Sequence, residues 1–172
     1  LDGDTQIGVG HFMRCLTLAN ALRNQGAHCH FLSLSLSPPL QNQAKNDGHG
    51  VQIFEDEGAL LKGLASQTHD WLVVDHYQLG PDFERPAKAF CKALMVIEDL
   101  SQRHHHADLL VDQSALRSPT DFEGFVPPTC TLLLGPKYAL IRPEFRENQK
   151  QSANRWARGL ISFGGADPHN TS

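Results

Sequence analysis

Trp71-Leu72-Val73-Val74-Asp75-His76-Tyr77 joins a continuous apolar run to three hydrogen-bonding side chains. No polar residue interrupts the run, so it reads as a strand buried on both faces. Ala93-Leu94-Met95-Val96-Ile97 repeats the pattern and runs into Glu98-Asp99; Leu109-Leu110-Val111 runs into Asp112-Gln113. Thr131 to Leu134 is a further short strand. Ahead of these, His28 to Leu34 alternates in strand fashion and Val51 to Phe54 is another strand. Helical segments fall between. Leu16, Leu18, Ala19 and Leu22 form a stripe at helical spacing, with Gly26 placed to cap its C-terminus. Ser37-Pro38-Pro39 breaks the chain before a short helix from Leu40 to Asp47, which Gly48 and Gly50 end; residues 57–67 are helical in pattern. Pro81 to Cys91 reads as a helix with Pro86 inside it, which weakens its middle. Strand and helix alternate throughout, and the expectation is an α/β fold: a Rossmann-like, doubly wound parallel sheet.

The 172 residues suffice for one domain, or one domain and a fragment of a second. The chain opens at Leu1-Asp2-Gly3-Asp4 without Met, signal peptide or preceding strand, so a first strand is expected to be lost upstream. From Arg142 to Arg158 the sequence turns charged and Gln/Asn-rich. Gly159 to Phe163 then reads as a fresh buried strand, running into Gly164-Gly165-Ala166-Asp167-Pro168, with Asn170 or Thr171 placed to cap a helix. The expected division is an N-terminal domain over 1–145, a linker over 146–158, and the start of a second, truncated α/β domain over 159–172. A net charge of −4 argues against non-specific nucleic-acid binding. No apolar run approaches the roughly 20 residues of a membrane span. Cys15, Cys29, Cys91 and Cys130 are scattered without a Cys-x-x-Cys pair, and are expected to be buried free thiols of a cytoplasmic protein.

In open α/β sheets ligands bind beyond the carboxyl ends of the strands. Four clusters belong there: Gly8 to Arg14, Asp75-His76-Tyr77, Glu98-Asp99, and Asp112-Gln113. In Gly8-Val9-Gly10-His11-Phe12-Met13-Arg14, two glycines permit a tight turn into a helix N-terminus, where amide groups and the helix dipole favour an anion. His11 and Arg14 share one helical face, and a histidine there can move a proton near neutral pH. The plainer reading is a tight loop with a surface histidine. For Asp75 the alternative is a cap on the next helix, with His76 and Tyr77 on the loop surface. His104-His105-His106 suggests a metal, but adjacent residues do not converge on one ion, and a polar loop is expected. His28 and His30 read as structural or exposed, and Asp82 and Glu84 as a solvated helical face. The dinucleotide fingerprint lacks its third glycine and no Walker lysine is present, so neither NAD nor ATP is expected.

Taken together, ordered motifs carry a resemblance. These are Gly8 to Ala19, Val74-Asp75-His76-Tyr77, Glu98-Asp99-Leu100, Asp108 to Gln113, Leu134 to Phe145, and Ser162 to Pro168. The chain resembles the UDP-sugar hydrolases of pseudaminic acid biosynthesis, a family that includes proteins labelled as flagellar-modification or spore-coat polysaccharide synthesis proteins. The resemblance implies a two-domain fold like that of GT-B glycosyltransferases, with this chain as the N-terminal, sugar-side half. It implies hydrolysis of UDP-2,4-diacetamido-2,4,6-trideoxy-β-L-altropyranose to free sugar and UDP, with His11 as the base and Tyr77 lining the sugar site. Gly8, Gly10, Arg14 and Asp75 are expected to assist in binding, and Gly164 and Gly165 to belong to the nucleotide side. One base suffices because UDP is a good leaving group, so neither metal nor other cofactor is expected. The implied partners are a UDP-sugar and the protein's own C-terminal domain, without nucleic acid or membrane. A chain of this extent is expected to hydrolyse little by itself. A GT-B glycosyltransferase using the same donor, or a non-catalytic sugar-nucleotide binding module, are the alternatives.

Overall fold

In the computed structural model, which describes residues 1–3, 9–100 and 102–147, helices and parallel strands alternate as far as Ile97, and two further strands then follow without an intervening α-helix. Helix α1 (Gly10–Arg23) leads to β1 (His30–Ser33), α2 (Pro38–Asn46) and β2 (Gly50–Ile53). Then follow α3 (Glu57–Leu64), β3 (His69–Val74), α4 (Pro81–Ala87), β4 (Cys91–Ile97), β5 (Leu109–Asp112), β6 (Thr131–Leu134) and α5 (Pro143–Glu147). The expected linker and second domain lie outside the described residues from 148 onward, and α5 runs across the expected boundary at 145.

Strands β3-β4-β5-β6 form one parallel sheet in that order, and β1 pairs with β2 in a separate parallel ladder. Register places Val74 beside Val96, Ile97 beside Val111 and Asp112 beside Leu134, so the carboxyl ends of four strands align along one edge. At that edge the first residues of the chain link the two ladders. Gly3 forms a parallel bridge with Leu36, just beyond β1, while the Asp2 carboxylate accepts from Ser33 and from His76, just beyond β3.

Alternation along β4 explains why the sheet is covered on both sides. Met95 and Ile97 pack with Phe12, Cys15, Leu16 and Ala19 of α1 and Ala44 of α2. Leu94 and Val96 pack with Leu60 and Leu64 of α3 and Phe83 and Ala87 of α4. A parallel α/β sheet flanked by helices on both faces is consistent with a Rossmann-like fold.

Several local expectations change. Trp71 is 54% exposed, not buried on both faces, because β3 is an edge of its four-stranded sheet; burial begins only at its carboxyl end. The helix expected over Pro81–Cys91 stops at Ala87. Pro86 sits in its last turn, the chain tightens into a 3-10 turn over Lys88–Phe90, and Cys91 pairs with His69 as the first residue of β4. Helix α2 begins at Pro38, since proline is tolerated in a first turn whose amides lack intrahelical partners. At the end of α1, Gly26 adopts φ +91° and the Ala27 amide donates to the Leu22 carbonyl, closing the helix as its spacing predicts. Of the four cysteines, all free, only Cys15 is fully buried. No described helix is long and apolar enough to cross a membrane.

Candidate functional site

Helix α1 starts from Val9 as its N-cap residue, which has no side-chain acceptor to offer the first amides. His11 is its second residue and Arg14 lies one turn on, which brings both to the end of β3. There Asp75 is 1% exposed and gathers four donors. His11 Nδ1 lies 2.5 Å from Asp75 Oδ1; Arg14 Nη2 lies 2.5 Å from the same oxygen; Arg14 Nε lies 2.6 Å from Oδ2. The Cys15 thiol donates to Oδ2 at 3.4 Å. Burial acts to raise the Asp75 pKa, but the hydrogen bonds and charge of Arg14 and His11 outweigh it and hold the carboxyl below its usual range.

An ionised Asp75 fixes the histidine tautomer. Two lone pairs at 2.5 Å would repel, so Nδ1 carries a proton and donates it to Oδ1. The 3.0 Å approach of Arg14 Nη2 to Nδ1 is then two donors converging on one oxygen. In the neutral form of the ring the lone pair then lies on Nε2. The carboxylate–imidazole arrangement is that of a histidine held ready to accept a proton.

Arg14 reaches a second carboxylate, with Nη1 3.0 Å from Asp99 Oδ2, just past the end of β4. Burial acts against its charge, yet Asp75 and Asp99 push the guanidinium pKa above its ordinary value. Three of its nitrogens are thereby committed to protein carboxylates. Tyr77 donates its hydroxyl to the same Asp99 oxygen at 3.2 Å and packs its ring edge-to-face on His11, centroids 4.6 Å apart. Asp2, His11, Asp75, His76, Tyr77 and Gln78 line a cavity of about 110 Å³. That is well below the roughly 300 Å³ at which whole-ligand pockets begin, so these residues form one wall of a larger site or hold part of a ligand.

Behind this layer, Glu98 accepts from the Asp99 and Leu100 amides and from Arg103, whose other arm donates to the Tyr77 carbonyl. His105 is buried between Glu84 and Glu98, its two ring nitrogens 2.7 and 2.8 Å from their oxygens. Burial acts to lower its pKa, but the two carboxylates overcome it and raise the imidazole to about 9. The histidine run lies in the loop ahead of β5, as expected, with His104 exposed but His105 buried, whereas Glu84, 0% exposed, is no part of a solvated face. Asp82 is exposed as expected. Among the described residues no group of three or more His, Cys, Asp and Glu side chains is arranged to hold a metal ion.

The structure thus brings together His11, Arg14, Asp75 and Tyr77. Gly10 is the first residue of α1, without positive φ and with open space where a Cβ would stand, so no tight turn depends on it. Gly8, Gly164 and Gly165 lie outside the described residues. Asp75 caps no helix; Gly80 precedes α4. Sequence reasoning left Asp2, Glu84 and His105 out of the site. Glu84 had a signal: it shares a helical face with Ala87 beside Phe83, where a carboxylate must be buried. His76 receives the Gln78 and Leu79 amides on Nδ1 and so donates from Nε2 to Asp2.

No protein-family model matches the chain. Over 171 residues, 99% of its length, it is 30% identical to the UDP-2,4-diacetamido-2,4,6-trideoxy-beta-L-altropyranose hydrolase of Campylobacter jejuni, of which it covers 61%. It is 27% identical over 176 residues to an uncharacterized protein of Methanocaldococcus jannaschii, of which it covers 36%. The chain spans less than two thirds of the length of either relative.

Proposed function

We propose that the chain is a portion of a protein of the same family as the Campylobacter UDP-2,4-diacetamido-2,4,6-trideoxy-beta-L-altropyranose hydrolase, to which it is 30% identical, and that it carries the sugar-side wall of a UDP-sugar hydrolase active site. One observation carries the reading: the 2.5 Å contact between His11 Nδ1 and a buried, ionised Asp75, which leaves Nε2 as the basic atom of a residue that lines the cavity. A water molecule held at that nitrogen gives up a proton to it while its oxygen attacks the anomeric carbon. The bond from that carbon to the β-phosphate oxygen breaks, and UDP leaves with the electron pair. The diphosphate is already a weak base, so no acid has to protonate it, much as an inverting glycosidase would dispense with its acid given such a leaving group. Asp75 stabilises the imidazolium that forms, and Arg14 keeps Asp75 ionised and in place. Tyr77 walls the sugar. The amides of the first turn of α1, which opens at Gly10, sit where partial negative charge is best held.

On this reading the domain is the sugar-side half of a GT-B-type enzyme feeding a pseudaminic acid-like pathway. On the same reading the UDP would be held by a C-terminal part of the full-length protein, which Gly164 and Gly165 begin. The test is full-length protein with the UDP-sugar and no acceptor. Free sugar and UDP are expected in equal amounts, and His11→Asn is expected to lower kcat by about a hundredfold or more. Turnover only with an added acceptor alcohol would make the protein a transferase, and turnover that survives His11→Asn would remove the base.

A further inference from the structure

Tyr77 is held at both ends, by Arg103 at its carbonyl and by Asp99 at its hydroxyl. Its carbonyl accepts from Arg103, which Glu98 holds; its hydroxyl donates to Asp99 Oδ2 at 3.2 Å. Tyr77 is 46% exposed, so core packing alone does not fix its ring, yet the ring stands edge-to-face on His11. Asp99 is itself anchored from both sides. Its amide donates to Glu98 Oε1 at 2.9 Å, and its carbonyl accepts from Arg117, which Asp112 holds. Oδ2 serves Tyr77 and Arg14 together, while Oδ1 is buried with no donor among the described residues. A buried acceptor without a donor is costly, and such groups persist where placement of the residue matters more than its own satisfaction.

We propose that Asp99 is a positioning residue of this site, bracing the Tyr77 ring against His11 and holding the outer arm of Arg14. Contacts run in a closed circuit: His11 to Asp75, Asp75 to Arg14, Arg14 to Asp99, Asp99 to the Tyr77 hydroxyl, and the Tyr77 ring back to His11. Without Asp99 the imidazole keeps its partner at Nδ1 but loses the fixed ring against its side. Water and sugar then sample more positions around Nε2, which lowers kcat more than binding. Burial, followed by the Asp99 charge, raises the Tyr77 phenol above its ordinary value, so the hydroxyl remains a donor across the neutral range.

The effect on turnover rests on His11 being the hydrolytic base; the effect on Tyr77 does not. In full-length protein, Asp99→Asn and Asp99→Ala are compared with Tyr77→Phe and with the Asp99→Asn/Tyr77→Phe pair. Expected are a kcat lower by about tenfold to a hundredfold with KM little changed, and a double variant no worse than its poorer single. Independently of any turnover, a spectrophotometric titration is recorded with Tyr77→Phe as the blank. The Tyr77 phenol is expected to titrate at lower pH in Asp99→Asn than in the parent. A Tyr77 titration unmoved by Asp99→Asn, or fully additive kinetic losses, overturns the proposal. Absence of UDP-sugar hydrolysis in the parent protein overturns the hydrolase reading, while the titration still decides the role of Asp99.

Discussion

Asp75 serves four donors with two oxygens, and the residue's charge rather than its shape is what the arrangement requires. An asparagine has the same outline but one acceptor atom, and it no longer dictates that His11 carry its proton on Nδ1. Asp75→Asn is therefore predicted to lower kcat of the full-length protein by about a hundredfold or more with little change in KM, read from steady-state kinetics. An unchanged kcat would show that the tautomer is set by something else. His11, Arg14 and Asp75 could be picked from sequence because the rules that place them are local: a helix start, an i, i+3 pair, the end of an apolar run. Which carboxylate meets which cation was not legible, because Arg14 chooses partners 61 and 85 residues away. Arg14, expected to assist in binding, has its nitrogens committed to Asp75 and Asp99, an arrangement that on the proposed reading orients the base.

The connection from β4 to β5 is held by charge as well as by the packing of Ala107 into the core. His105, buried between Glu84 of α4 and Glu98 at the end of β4, ties the segment to two elements at once. Its folded pKa of about 9 lies above the ordinary 6.5, so its stabilisation is complete below the unfolded value and is lost as pH rises toward 9. Glu98 works in the opposite sense. Burial acts to raise its pKa, but His105 and the Leu100 and Asp99 amides lower it, so its stabilisation is present above the unfolded value of 4.5 and is lost as pH falls. Thermal unfolding is predicted to show Tm declining between pH 6.5 and 9. Glu84→Gln should flatten that decline, with up to about 3 kcal/mol at stake for the full histidine shift. A slope identical in parent and Glu84→Gln would show that His105 is not its source. The segment was unreadable from sequence for a physical reason: three adjacent histidines look alike until the fold buries one of them between two acids. The strands were the opposite case. β4 and β5 are buried nearly as their apolar composition requires, whereas the exposure of Trp71 follows from its place at a sheet edge, which composition does not state.

At the scale of the molecule, the parallel order of β3 to β6 lines up the carboxyl ends that carry Asp75, Asp99 and Asp112, and the α/β class that does so was evident in the alternation of elements. The division of the strands into two ladders was not, because it depends on how residues 1–3 sit beside β1 and His76. With a cavity of about 110 Å³ and a chain covering 61% of its Campylobacter relative, these 172 residues supply one wall of the proposed site. Assayed alone, they are predicted to release UDP at least about a hundredfold more slowly than the protein at its relatives' length, since binding energy remote from the reacting bond would be lost. Equal rates would place the whole reaction within this chain. The separation between partners also orders events in time. His11 and Asp75 are 64 residues apart and Arg14 and Asp99 are 85 apart, with α2, α3, β1 and β2 folded in between. Loop closure of that length is rewarded only after the intervening strands have docked, so the imidazole acquires its carboxylate late, and the pairing serves as a molecular record that the rest of the sheet has already assembled.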